Sequence, residues 1–136
     1  MHMTLEADYA VRIVEFLATQ KERADAKTIA EQTNVTLRFT LKILRTLVAD
    51  GIAHSYKGAK GGYELAKPAK EITLRQVIES VEGPYMISRC QGEAYSCTRT
   101  DCHLHGIYGK ISAMVRKELD SYTFDLICAC EDQETK

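Results

Sequence analysis

Between Ile52 and Ala66 two short runs, Ile52-Ala53-His54-Ser55-Tyr56-Lys57 and Tyr63-Glu64-Leu65-Ala66, flank the turn Gly58-Ala59-Lys60-Gly61-Gly62. Apolar and polar residues alternate in the first run as in a half-buried strand, and a glycine-rich connection of this length closes a hairpin. Directly ahead stand two capped helical patterns. Asp25 caps a short helix with Ile29 and Ala30 inward; the turn Gln32-Thr33-Asn34-Val35 follows. Thr36 then caps a longer helix with apolar Leu37, Ile43, Leu44, Leu47 and Val48, ended by Gly51. Two short helices across a tight turn, the second with Arg38, Lys42 and Arg45 on its polar side, make a helix-turn-helix whose second helix suits a major groove. The hairpin behind it is a wing. The expected fold is mostly α with a small β-hairpin: a winged helix-turn-helix plus a long dimerisation helix.

The rest of the chain falls into place around this unit. Thr4 caps a helix to about Thr19, with Tyr9, Ala10, Ile13, Val14, Phe16 and Leu17 at three-and-four spacing. Gln20-Lys21-Glu22-Arg23 is a polar break. After Pro68, Thr73 caps a helix carrying Leu74, Val77, Ile78 and Val81, stopped by Gly83-Pro84. Residues 86–102 show no sustained period. From Leu104 the residues Leu104, Ile107, Tyr108, Ile111, Met114, Val115 and Leu119 recur at helical spacing. The winged unit is already complete without this stripe, so Leu104, Ile107, Ile111, Met114 and Val115 are expected at a homodimer interface, such as two-fold DNA readers require. Thr123 caps a last short turn through Ile127. The division is therefore 1–83, a DNA-binding domain; 84–103, a cluster-binding loop; and 104–136, dimerisation helix and C-terminal tail.

Charge supports the same reading. The net charge is only −1, but residues 34–68 hold six bases (Arg38, Lys42, Arg45, Lys57, Lys60, Lys67) against two acids (Asp50, Glu64). A local basic face on a mildly acidic body is enough for a DNA binder, because only the docking surface neutralises phosphates. The candidates for contact with double-stranded DNA are Thr36, Arg38, Phe39, Lys42 and Arg45 on the helix and Lys57, Lys60, Gly61 and Gly62 on the wing. Phe39 packs, or touches a thymine methyl. A nucleotide-binding glycine loop is the rival use of these glycines, but no Gly-Lys-Ser/Thr opens a helix. At 136 residues one modest domain is expected. No run of about 18 apolar residues and no signal core is present, so the chain is read as cytoplasmic, with no membrane partner.

Three cysteines and a histidine then crowd into sixteen residues: Cys90, Cys97, Cys102 and His105. Five cysteines without an export signal favour metal or redox use over a secreted disulfide framework. Cys128 and Cys130 form a separate pair near the C-terminus. No third group stands ready to orient a nucleophile–base pair, which argues against an enzyme.

Along nearly its whole length the chain resembles the bacterial iron-sulfur regulators of the IscR- and NsrR-like (Rrf-two) family. The resemblance rests on Asp8-Tyr9-Ala10-Val11-Arg12, on Ile29-Ala30-Glu31 and on Gly58-Ala59-Lys60-Gly61-Gly62-Tyr63-Glu64-Leu65-Ala66. It rests also on Arg89-Cys90-Gln91-Gly92 and on Leu119-Asp120-Ser121-Tyr122-Thr123. It implies homodimeric winged-helix repressors or activators that bind palindromic promoter sites and sense iron-sulfur status, oxidants or nitric oxide.

Thiolates are soft ligands for iron-sulfur clusters or zinc, and three leave a fourth position open. His105 lies one turn after Cys102 on the same side, and the resulting set resembles that of two-iron members. The resemblance also offers Asp8, from the first helix of the opposite subunit, as the fourth ligand of a four-iron cluster. Both stay open, as do [2Fe-2S] and [4Fe-4S]. Asp8 has an alternative as an acid near a helix N-terminus. The family spaces its cysteines six residues apart, whereas Cys97 is displaced by one, which leaves the cluster type undecided. A structural zinc site, a metal-free thiol switch and a metal-independent interaction module are the competing readings. Cluster assembly is expected to fix the loop 90–102 and alter both half-site contacts together.

Overall fold

The computed structural model describes residues 2–92 and 102–134, with side chains to Ile127, Cys128 and Ala129. Helix α1 (Leu5–Thr19) begins where Thr4 Oγ1 accepts the Ala7 N–H at 3.1 Å, and it buries Ala7, Ala10, Ile13, Val14 and Leu17. It is the hub: α2 (Ala26–Thr33), α3 (Leu37–Ala49), α4 (Leu74–Glu82) and α6 (Phe124–Glu134) all pack on it. Asp25, Thr36 and Thr73 cap α2, α3 and α4 as expected, each accepting a backbone N–H of the first turn, and Gln76 completes a capping box with Thr73. Each cap satisfies a donor that the helix cannot satisfy itself. Between α2 and α3, Asn34 takes a left-handed conformation (φ 56°), which its short polar side chain tolerates.

Strands β1 (Ala53–Tyr56) and β2 (Gly62–Leu65) pair antiparallel, Ala53 opposite Leu65 and Tyr56 opposite Gly62. The ladder thus excludes Ile52, Lys57 and Ala66 and takes in Gly62, which the sequence placed in the turn. A third chain segment joins it from Ala24, the residue that follows the polar break 20–23. Ala24 exchanges both hydrogen bonds with Tyr63, at 3.1 and 2.8 Å. This contact decides the residue at 62. Gly62 has φ 144° and a buried backbone, and a Cβ there would lie 2.8 Å from the Ala24 carbonyl oxygen.

Helix α5 (His103–Asp120) runs for 18 residues. The last element departs from expectation: instead of a short turn ending at Ile127, α6 continues to Glu134. Docking anchors its start. The Phe124 N–H donates to Ile72 O (3.1 Å), Leu74 N–H donates to Tyr122 O (2.8 Å), and the Phe124 ring is fully buried in the core with Ile13, Ile43, Leu47 and Ile72. Burying such a ring contributes about 1.5–3 kcal/mol, more than a short helix's local propensity supplies. The winged unit is therefore not complete without the C-terminal part of the chain. Arg75 strengthens the joint by bonding both Glu79 and Asp120, whose carboxylates hold its guanidinium pKa above the ordinary value.

Candidate functional site: a cationic reading head and a thiol segment

Helix α3 buries Thr40, Ile43, Leu44 and Leu47 and turns Arg38, Leu41, Lys42 and Arg45 outward, a spacing of three, four and seven that defines one face. Among the described residues, Arg38 and Arg45 have no ion-pair partner and keep their charge for a ligand. Lys42 is engaged: its Nζ lies 3.2 Å from Glu6 Oε1 on α1. The Thr36 hydroxyl is spent on the Phe39 N–H. Phe39 is 39 % exposed and meets Tyr9 edge-on, with ring centroids 5.8 Å apart, so it packs and still presents an edge. Sequence reasoning missed Leu41. An exposed leucine between Arg38 and Lys42 breaks the polar face, and that break was the available signal.

On the wing, Lys57 and Lys60 are exposed and without ion-pair partners among the described residues. Gly61 and Gly62 are not exposed; they let the hairpin fold under Tyr56 and against Ala24. A further cation stands at the wing's base. The Arg23 guanidinium stacks 3.2 Å above the Tyr56 ring, and the Tyr56 hydroxyl donates to Glu64. Ionising Tyr56 would break that hydrogen bond, so its pKa lies above the usual phenol value. His54 meets the same ring edge-on at 4.6 Å. Arg23 carries no motif; its place follows from the Ala24–Tyr63 pairing beside it.

The thiol segment hangs on α5. Residues 85–92 run along that helix, held by Arg116 Nε donating to Tyr85 O (2.8 Å) and by Ile87 N–H donating to Ser112 Oγ (2.9 Å). The Ser112 hydroxyl in turn donates to Gln91 Oε1 (2.7 Å). Cys90, partly exposed, sits in a short 3-10 turn (Arg89–Gln91), where its sulfur accepts from Ser88 Oγ at 3.2 Å. Cys102 is the first residue ahead of α5 and makes no side-chain cap. Both are free cysteines. His103 and His105 are exposed in the first turn of α5, and Asp8 is paired with Arg12 at 2.9 Å. Cys97 lies outside the described residues, as does the side chain of Cys130. Among the described residues no three histidine, cysteine or acidic side chains gather as a metal site. Cys128 is partly buried, its sulfur 3.8 Å from Glu15 O.

The apolar stripe of α5 splits in two. Leu104, Ile107, Ile111 and Met114 face outward, Ile107 being 50 % and Met114 62 % exposed. Val115 and Leu119 are half-buried and line a groove with Ile78, Tyr85 and Met86. No helix among the described residues is long and apolar enough to cross a membrane.

Comparison with known proteins places this architecture. The Rrf2 family profile, described as an iron-dependent transcriptional regulator, matches residues 3–129. A Mycobacterium tuberculosis relative of the HTH type is 37% identical over 86 residues, 62% of this chain; the match spans about half, 53%, of that relative's length. The HTH-type transcriptional regulator NsrR of Oceanobacillus iheyensis is 27% identical over 137 residues, 98% of this chain and 93% of the relative. Among solved structures, IscR of T. potens superposes with a TM-score of 0.81 at 19% identity, covering 100% of this chain and 92% of that one, a likeness of fold. One family profile thus runs from ahead of α1 into α6, and the chain belongs to the Rrf2 family of transcriptional regulators.

Proposed function

We propose that this chain works as a homodimer on palindromic promoter DNA, its operator affinity set by an iron-sulfur cluster that reports iron-sulfur status, redox state or nitric oxide. The observation that carries the reading is the mounting of both described loop cysteines on α5. Cys102 stands at the N-cap position of that helix, Cys90 is held along it, and the helix's outer face is an exposed apolar row. A change at the thiols then bears directly on the element that suits subunit contact. The division of labour follows: 1–83 reads DNA, 84–103 holds the cluster, and 104–136 joins the subunits while α6 closes the core.

The donor set fits such a group. Cys90 and Cys102 are free and partly exposed, and soft thiolates suit iron-sulfur chemistry. Cys90, Cys97 and Cys102 would hold it, with His105 or Asp8 of a second copy as fourth ligand; Asp8 would exchange its partner Arg12 for that role. When bound, the group supplies iron–sulfide bonds that oxidants and nitric oxide attack. The chain's own residues do the rest. Arg38, Arg45, Lys57 and Lys60 neutralise phosphates, Leu41 and Phe39 offer apolar contact to thymine methyls, and Arg23 and Tyr56 fix the wing's base. Two α3 helices in a dimer must stand about 34 Å apart to enter successive major grooves.

The test is anaerobic purification followed by visible and Mössbauer spectroscopy of the wild type, Asp8→Ala and His105→Ala, with operator titrations of loaded and cluster-free dimer. Loss or change of the cluster in one variant identifies the fourth ligand. Arg38→Ala is expected to weaken operator binding and to lower the slope of log affinity against log salt by about one. A colourless protein holding zinc, or one forming disulfides without iron, replaces the reading by a structural zinc site or a thiol switch. Equal affinity of loaded and cluster-free dimer at every operator refutes it.

A further inference from the structure

A serine in the middle of an apolar helix face is out of place unless its hydroxyl is used elsewhere. Ser112 is such a residue: it is fully buried on α5, between Tyr108 and Val115 on the inward side. Its hydroxyl is used twice, and both times on the cysteine segment. It accepts from Ile87 N–H and donates to Gln91 Oε1, so two residues, one on each side of Ser88, are tied to one atom of the helix. Gln91 reaches further, its amide nitrogen lying 3.5 Å from where a Cβ at Gly109 would stand. That is an ordinary contact distance, and it places the Gln91 amide beside the Gly109 turn of α5.

These contacts have a direction. Tyr85 meets Arg116, Ile87 meets Ser112, and Gln91 meets Ser112 and Gly109, so the segment advances antiparallel along α5 toward the end that Cys102 begins. From Gly109 to Cys102 the helix rise amounts to roughly 10 Å. Cys90 is bracketed within this track. Ser88 Oγ donates to its sulfur and accepts from its N–H, and Gln91 accepts from the Ser88 N–H at 3.4 Å.

We propose that Ser112 and Gln91 form a positioning clasp that holds Cys90 in register on α5, so that occupancy of the thiol site and the seating of residues 85–92 on the dimerisation helix are one coupled event. This rests on the cluster reading above for its ligand but on hydrogen bonds alone for the clasp. Neither residue is among the proposed ligands; both would act through Cys90.

The experiment compares wild type with Ser112→Ala, Gln91→Ala and Gln91→Glu, the last keeping an acceptor oxygen for the Ser112 hydroxyl. Two readouts are taken: amide hydrogen exchange across residues 85–92 in the cluster-free protein, and the rate at which an added chelator bleaches the visible absorbance of the cluster-loaded dimer. Each alanine variant removes two part-buried hydrogen bonds, and both rates are expected to rise about tenfold or more in Ser112→Ala and Gln91→Ala, with exchange in α1 unchanged and Gln91→Glu restored toward wild type. Should Ser112→Ala not fold, the half-exposed Gln91 variants carry the test. Unchanged exchange in 85–92 overturns the clasp, and raised exchange with unchanged bleaching overturns its coupling to the thiol site. A wild type that is colourless before any substitution defeats the cluster reading instead, and the exchange data then still decide the clasp.

Discussion

Gly62→Ala tests whether the wing is held by its own turn or by the third segment beside it. At φ 144° an alanine is strained, at a cost of about 1–2 kcal/mol. Its Cβ would also stand 2.8 Å from Ala24 O and 2.9 Å from Ala24 C, both backbone atoms that no rotamer change can move. Relief requires parting Ala24 from Tyr63 and losing two hydrogen bonds worth about 1 kcal/mol each. The sum is about 3–4 kcal/mol, against a total stability of about 5–15 kcal/mol for an ordinary domain. Gly58→Ala is the control: φ is 96°, but nothing lies within 4 Å of the added carbon, so only the strain of about 1–2 kcal/mol applies. For a chain of this size the melting temperature should fall by about 12–16 °C in the first variant and about 4–8 °C in the second. Thermal and urea unfolding followed by circular dichroism measure both. If Gly62→Ala loses no more than Gly58→Ala, the close approach of Ala24 does not govern the wing and the reasoning fails.

Two other outcomes follow from the core and the caps. Phe124→Ala should cost about 3–5 kcal/mol in urea unfolding, while Leu126→Ala, on the exposed side of α6, should cost less than about 0.5 kcal/mol; equal small losses would show that α6 is not part of the cooperative unit. The Thr28 N–H and hydroxyl hold the Asp25 carboxyl below its ordinary value of 3.8. A depressed folded pKa gives stability that is complete above the unfolded value and is lost as pH falls through the folded one. Asp25→Asn should therefore flatten the acid limb of a stability–pH curve below about pH 4, and an unchanged limb would refute the cap's electrostatic role.

The winged helix-turn-helix was legible because its signals are local. Thr4, Asp25, Thr36 and Thr73 each stand just ahead of a helical period, and each caps the helix expected of it. Arg38, Arg45, Lys57 and Lys60, proposed as DNA contacts from charge and position, are exposed in the structure. The apolar row of α5 was also visible as a row, but its division was not. Spacing alone does not separate Val115 and Leu119, which face the groove, from Ile107 and Met114, which face outward.

Sequence by itself determined the order of the helices, the hairpin, the basic face, and the set of cysteines from which a thiol site can be built. Each of these depends on a residue's neighbours within one or two helical turns. Tertiary structure decided what has no such period. Ala24 pairs with Tyr63 across 39 positions, Phe124 enters a core whose other members lie at least 47 residues earlier, and Ser112 holds Gln91 from 21 residues away. In each case the deciding quantity is a backbone pairing or a buried volume between segments brought together only by folding, and no local pattern in the chain encodes it.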